Sequence, residues 1–224
     1  AGTDGGKTMA MGNQLTFTGG GEMDNGMNVS LSFIIDQGDG VTASTAPFDS
    51  HSLSVGSDAM GTITFAGEGA SSAQNTIDTT AAGDIWDNTF GFTAPTNADA
   101  AKVLTWTLPS VMDGLGVVTS YNMSAAAKEA TIGYALTYTG VEGLSVSYGV
   151  GEVGGNTAGT TGADVTTMKA SFAFGPITAA MSINDYDTGS GITAQEQSSY
   201  KISYSVTDDL SISYGSETHE TTGQ

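Results

Sequence analysis

Cysteine and arginine are absent from this chain of 224 residues, proline occurs 4 times, and the basic side chains amount to 5 lysines. Without cysteine, a disulfide framework and a thiolate metal site are both excluded. Against those lysines stand 24 acids, for a formal net charge of -19. Nucleic acid is therefore excluded as a partner, because binding it needs clustered cations to displace counterions from phosphate; small cations are the natural companions. No apolar run approaches the roughly 20 residues of a membrane helix, so the chain does not cross a membrane by helices. The opening AGTDGGKTMAMG has neither the charged start nor the apolar core of a signal peptide. A transmembrane barrel survives these exclusions, since its strands show only alternation.

What the chain does contain is glycine, 32 residues of it, with abundant Ser and Thr and 8% aromatics. That is too apolar for disorder and too rich in Gly and Thr for helices, so an all-β chain is favoured. Apolar parity marks twelve strands. They are carried by Leu15 and Phe17; Val29, Leu31 and Phe33; Leu53 and Val55; Ile63 and Phe65; Leu104, Trp106 and Leu108; and Val117, Thr119 and Tyr121. The second half continues with Ile132 to Tyr138; Leu144 to Tyr148; Met168 to Phe174; Ile177 to Ile183; Tyr200 to Val206; and Leu210 to Tyr214. The turns EMDNG, SDAMG, PSVMDG, GVEG, Gly175-Pro176 and TDD close six hairpins with the residues tight turns require. Longer connections separate the hairpins: Asp36 to His51, Ala66 to Ala101, Asn122 to Glu129, Gly151 to Asp164 and Asn184 to Ser198. Short turns alternating with long loops are the mark of an outer-membrane barrel, with tight periplasmic turns and long extracellular loops.

The two strand faces differ in the same sense. One carries Leu, Val, Ile, Phe, Tyr, Trp and Met; the other carries Ser, Thr, Gly, Ala and Asn, with nearly all acids left to turns and loops. A soluble sandwich would mix Lys, Glu and Arg into its polar face. In a barrel the apolar face meets lipid, where a charge at mid-bilayer costs roughly 2 to 4 kcal/mol, and hydroxyls line water. Lys169 and Lys201 fall on the polar parity and are expected to face the lumen, as are Asn28, Ser30, Ser32, Thr62 and Thr64.

Three stretches, EMDNGMNVSLSF (Glu22 to Phe33), SHSLSVGSDAMGTITFAGEG (Ser50 to Gly69) and TTAAGDIWDN after it, give the chain a family likeness. It resembles the general bacterial porins, particularly the alphaproteobacterial branch. The resemblance implies a trimeric barrel of sixteen strands whose third extracellular loop folds inward and narrows the pore. With Leu15 placed in the family's second strand, the chain supplies strands two to thirteen as one barrel domain over residues 1–224. One strand is then expected before Ala1 and three after Gln224, and the segment from Ala66 to Ala101 takes the position of the constriction loop.

That segment alternates nowhere and holds five acids, Glu68, Asp78, Asp84, Asp87 and Asp99, with Trp86 between the central pair. A ring of carboxylates in a narrow aperture concentrates cations and repels anions. Asp84 and Asp87 are the preferred pair, and Trp86 is expected to anchor the loop. Related porins place basic residues, mostly Arg, on early strands opposite the loop, where this chain has none. The expectation is a passive, cation-preferring diffusion channel in the bacterial outer membrane, with lipid, small hydrophilic solutes and cations as partners, homotrimeric by family likeness.

Enzymatic constellations are missing. His51 and His219 sit in or beside loops, there is no GxSxG elbow, and no Ser-His-Asn pattern of an outer-membrane phospholipase is found. GVGEVG, Gly149 to Gly154, fits GxGxxG, but no helix can start after it. No cofactor is implied, although loops such as Asp36 to Gly40 offer hard oxygens to Ca²⁺ without EF-hand spacing. The alternative is a secreted or surface structural β protein, an adhesin or surface-layer component with acidic Ca²⁺-binding loops.

Overall fold

The computed structural model describes residues 14–35, 48–67, 70–77, 81, 98, 102–123, 130–154, 162–187, 194–207 and 209–222. They form one antiparallel sheet of twelve strands in sequence order. The strands are β1 (Leu15–Glu22), β2 (Asn28–Ile35), β3 (Phe48–Ser57), β4 (Gly61–Ala66), β5 (Val103–Thr107) and β6 (Leu115–Asn122). They continue with β7 (Thr131–Tyr138), β8 (Leu144–Val153), β9 (Ala163–Phe174), β10 (Ile177–Tyr186), β11 (Ala194–Thr207) and β12 (Leu210–Thr222). A single short 3-10 turn, Gln74–Thr76, lies between β4 and β5. Among the described residues no helix is long and apolar enough to cross a membrane.

Each strand pairs with its sequence neighbour, and β1 and β12 each have one partner in the sheet. The paired positions keep one parity across the whole sheet. Leu31 lies opposite Leu53, Leu53 opposite Phe65, Phe65 opposite Leu104 and Leu104 opposite Tyr121. On the other face Thr64 lies opposite Thr105, and Thr105 opposite Ser120. Register thus sorts the side chains into one apolar and one polar surface, as the period of two requires.

The apolar surface is not a core. Tyr134 is 51% exposed, Leu136 44%, Phe172 45% and Tyr204 49%, whereas the fully buried apolar side chains are few and mostly small, such as Ala73, Val103 and Val165. A water-soluble sheet would cover such a face with a second layer. An exposed apolar belt is stable only against lipid, which runs against the surface-protein alternative. Trp106 sits on this face and satisfies its indole by donating to the Met60 carbonyl, 2.9 Å away.

Glycines with left-handed backbone mark the short-turn end: Gly26 (φ 78°), Gly61 (φ 75°), Gly114 (φ 76°), Gly143 (φ 76°) and Gly175 (φ 56°). A side chain there would clash with its own carbonyl, so glycine is what lets these hairpins close tightly.

Two expectations need correction. Strands β8 to β12 run further at the long-loop end than alternation marks, to Val153, from Ala163, to Tyr186, from Ala194 and to Thr222. The described strands thus reach Tyr186 and Ala194 on either side of the connection after β10, closer together than alternation marks them. Second, several acids are in strands and not in loops. Glu152, Asp164, Asp185, Glu196 and Glu220 occupy exposed positions of the extended ends, and Glu217 lies on the polar face. The exposed ones continue the apolar parity past the belt, with Glu152 opposite Asp164, and Glu196 opposite both Asp185 and Glu220. Beyond the hydrocarbon, an outward position no longer has to be apolar, and the hydropathic signal of the strand stops before the strand does.

Candidate pore interior

The segment leaving β4 turns onto the polar face. Its two feet are joined where the Lys102 amide donates to the Gly67 carbonyl at 3.0 Å. From there the described residues cross the sheet from β6 toward β11. The Ala73 amide donates to Ser120 Oγ on β6 at 2.8 Å, and the Ala81 amide donates to Ser199 Oγ on β11 at 3.0 Å. Between these points Ile77 packs with Ala73 on Ala135 of β7, with Val118 of β6 alongside.

Gln74 is fully buried at the centre of this contact. Its Nε2 donates to Thr167 Oγ1 on β9 at 2.5 Å, and that hydroxyl donates to Asn184 Oδ1 on β10 at 2.5 Å. Its Oε1 accepts from the Ala98 amide at 3.0 Å, tying together two points 24 residues apart in the segment. Ser72 Oγ reinforces the same junction by donating to the Ala98 carbonyl at 3.4 Å. Buried amides are stable only when their donors and acceptors are used, and Gln74 uses both.

The wall is shaped to receive these residues. A Cβ at Gly149 would lie 2.8 Å from Ile77 Cδ1, and one at Gly151 would lie 2.5 Å from Ala98 Cβ. Both glycines belong to GVGEVG, which forms the end of β8, so the exclusion of dinucleotide binding agrees with the strand.

The predicted wall residues share one face. Asn28, Ser30 and Ser32 of β2 lie in register with Gly56, Ser54 and Ser52 of β3, and Ser54 in turn with Thr64, their hydroxyls 2.8 Å apart. Thr62 lies opposite Gly56 in the same row as Asn28. Lys169 stands between Ser147 and Ser182, and Lys201 between Ala180 and Gly215. Both lysines are on the parity of Thr167, the residue that receives Gln74. Glu217 and His219 of β12 share it too, Glu217 accepting from Gln197 Nε2 and His219 lying 3.3 Å from Gln195 Oε1. His51 lies in β3 opposite Phe33, with its ring near Phe65, and belongs to the apolar face.

The predicted constriction residues Glu68, Asp78, Asp84, Trp86, Asp87 and Asp99 lie outside the described residues, as does Asp36 to Gly40. Among the described residues no three His, Asp or Glu side chains converge on a metal position. Sequence reasoning missed Gln74, Ser120, Thr167, Asn184 and Ser199. Polar residues on a polar face carry no periodic signal; the one available hint was the pair of wall glycines, Gly149 and Gly151, on adjacent polar-face positions.

A sheet with a lipid-compatible outside and a hydroxyl-rich inside, crossed by its own chain, defines a β-barrel membrane pore. Residues 1–223 match the family model described as Gram-negative porin. The chain belongs to that family. It is a diffusion channel of the bacterial outer membrane and not an enzyme. Among solved structures, the anion-selective porin from Comamonas acidovorans superposes with a TM-score of 0.59 at 14% identity, covering 96% of this chain and 70% of that one. A variant of the Rh. blastica porin matches at 13% identity and a TM-score of 0.45, covering 92% of this chain and 84% of its own. No curated protein matches the chain.

Proposed function

We propose that the channel is cation-preferring, that residues 66–101 form its inward-folded constriction loop, and that it works as a homotrimer in the outer membrane. The observation that carries this reading is the docking of residues 73–77, 81 and 98 on the polar face, from Ser120 of β6 to Ser199 of β11. A segment held there occupies space through which solute must pass, and so limits solute size.

Selectivity is argued from position. The porin from Comamonas acidovorans is anion-selective, so the fold by itself does not dictate a cation preference. On the polar parity of the described strands, Lys169 and Lys201 are set against Glu22 and Glu217, two charges of each sign. The wall is therefore near balance. Glu68, Asp78, Asp84, Asp87 and Asp99 supply the excess, with Trp86 as the apolar centre of the loop. Small hydrophilic solutes pass passively, and the hydroxyls of Ser30, Ser32, Thr62 and Thr64 with Asn28 keep the wall wetted.

The test is single-channel recording in a planar bilayer under a KCl gradient. Steps grouped in threes with a cation-selective reversal potential are expected. An anion-selective potential would reject the assignment to the loop acids, and independent single steps would reject the trimer.

A further inference from the structure

We infer that Gln74 is the positioning residue of the constriction: it clasps the excursion between residues 77 and 98 at its base and pins it to the β9 wall. The inference rests on the reading of residues 66–101 as the constriction loop and adds what fixes that loop's place.

Three observations converge. The amide of Gln74 holds both limbs of the segment, through its own backbone on one side and the Ala98 amide on the other, while its Nε2 reaches the Thr167–Asn184 pair of the wall. The side chain is 0% exposed, so water does not substitute for a lost partner without opening the junction. And the wall beneath it is relieved at two places only a strand's period apart: a Cβ at Gly151 would stand 2.5 Å from Ala98 Cβ and 3.2 Å from Gln74 Cβ, and one at Gly149 would stand 3.2 Å from Gln74 Cα.

The clasp divides the acids. Asp78, Asp84 and Asp87, with Trp86, lie in sequence between the clasped points, while Glu68 and Asp99 lie outside them. Among the described residues, Ala81 held on Ser199 of β11 adds an anchor along the course of the excursion to the one at its base. Breaking the base leaves Ala81 on Ser199 as the anchor among the described residues between 77 and 98. Aperture size and steadiness should then both suffer.

The experiment uses the full chain reconstituted in planar bilayers and vesicles. Q74A and G151V should insert and keep the oligomeric state of the parent. They should show increased open-channel current noise and admit larger neutral sugars in vesicle swelling. Q74E retains the acceptor for Ala98 but loses the donor to Thr167 when ionised. Its noise should be high at a pH where this buried carboxyl is ionised and fall toward that of the parent at lower pH, where the protonated carboxyl regains an O–H donor, with the parent measured at each pH. Should Q74A fail to fold, T167V removes the wall hydroxyl that accepts from Gln74 and donates to Asn184, and carries the same expectation. Parent-like noise and sugar cutoff in Q74A, or in T167V in its place, would overturn the inference. Deleting residues 78–97 separates the two levels: an unchanged cutoff there rejects the constriction reading itself, whereas an enlarged cutoff with a parent-like Q74A rejects only the clasp.

Discussion

Leu136 and Thr137 are neighbours in β7 whose side chains face opposite solvents, and a lysine placed at each in turn weighs one face against the other. Leu136 sits between Tyr134 and Tyr138 in the apolar stripe, opposite Val117 and Tyr148, and is 44% exposed. Fully burying a leucine is worth about 1.5 to 3 kcal/mol, so the exposed share in lipid contact is worth about 1 kcal/mol, which is the cost expected for L136A. A lysine adds the charge term of about 2 to 4 kcal/mol for mid-bilayer. L136K should therefore cost about 3 to 5 kcal/mol in total. Thr137 lies on the polar face opposite Gly116 and Ser147, its hydroxyl 3.3 Å from that of Ser147. T137K loses that half-buried hydrogen bond, about 1 kcal/mol, and places its ammonium in water on the parity of Lys169. Equilibrium folding into lipid vesicles against guanidinium, read by tryptophan fluorescence and by gel mobility of unheated samples, measures all three. If L136K and T137K agree within about 0.5 kcal/mol, the assignment of faces to lipid and water is wrong.

Charge reversals on the wall should move selectivity with little effect on folding. At about 7 Å in water a Lys-to-Glu reversal is worth about 1.2 kcal/mol, and screening at 0.1 M leaves about half. K169E or K201E should thus raise cation permeability about threefold and lower anion permeability by a similar factor, so that the ratio read from the reversal potential under a KCl gradient rises about sevenfold. Removing two loop acids in D84N/D87N should shift the same potential toward anions, and no shift would exclude that pair from the aperture. G143A forces a Cβ onto a backbone with φ 76° at the β7–β8 turn and against the Ala173 carbonyl oxygen, and should cost more in the vesicle-folding assay than the about 1 to 2 kcal/mol of the left-handed backbone alone. An unaffected G143A would show that this turn relaxes freely.

The twelve strands and their two faces were legible in the sequence because lipid and water impose opposite demands on alternate residues, and Leu, Tyr and Phe recur against Ser and Thr with few exceptions, such as His51 and Thr119 on the apolar face. The ends of β8 to β12 were not legible. Past the apolar belt the pattern inverts: Glu152, Asp164, Asp185, Glu196 and Glu220 stand on the outer parity while Val153, Ala163, Val165 and Tyr186 pack together on the inner one, so apolar parity no longer marks the lipid face. The junction at Gln74 was hidden for a different reason. In SSAQNT it is one polar residue among small ones, and its importance comes from partners 93 and 24 residues away in sequence, Thr167 and Ala98. Only the folded sheet brings those together.

The net charge of -19 points to a cation channel, but charge acts through its position and not through its sum. Five strand acids, Glu152, Asp164, Asp185, Glu196 and Glu220, stand on the outer parity beyond the belt, separated from the pore by the wall itself. Like charges directly opposite one another, as in Glu152 with Asp164, destabilise a sheet slightly, and such pairs persist where water or counterions screen them. They report an exposed rim, not a selectivity filter. Inside, Lys169 and Lys201 offset Glu22 and Glu217. On the proposed reading the sign of selectivity falls to the loop acids, because a carboxylate in a narrow aperture outweighs several on the rim. On that argument D84N/D87N should move the reversal potential further than neutralising Glu196 and Glu220 together, although each pair removes two charges from the same chain.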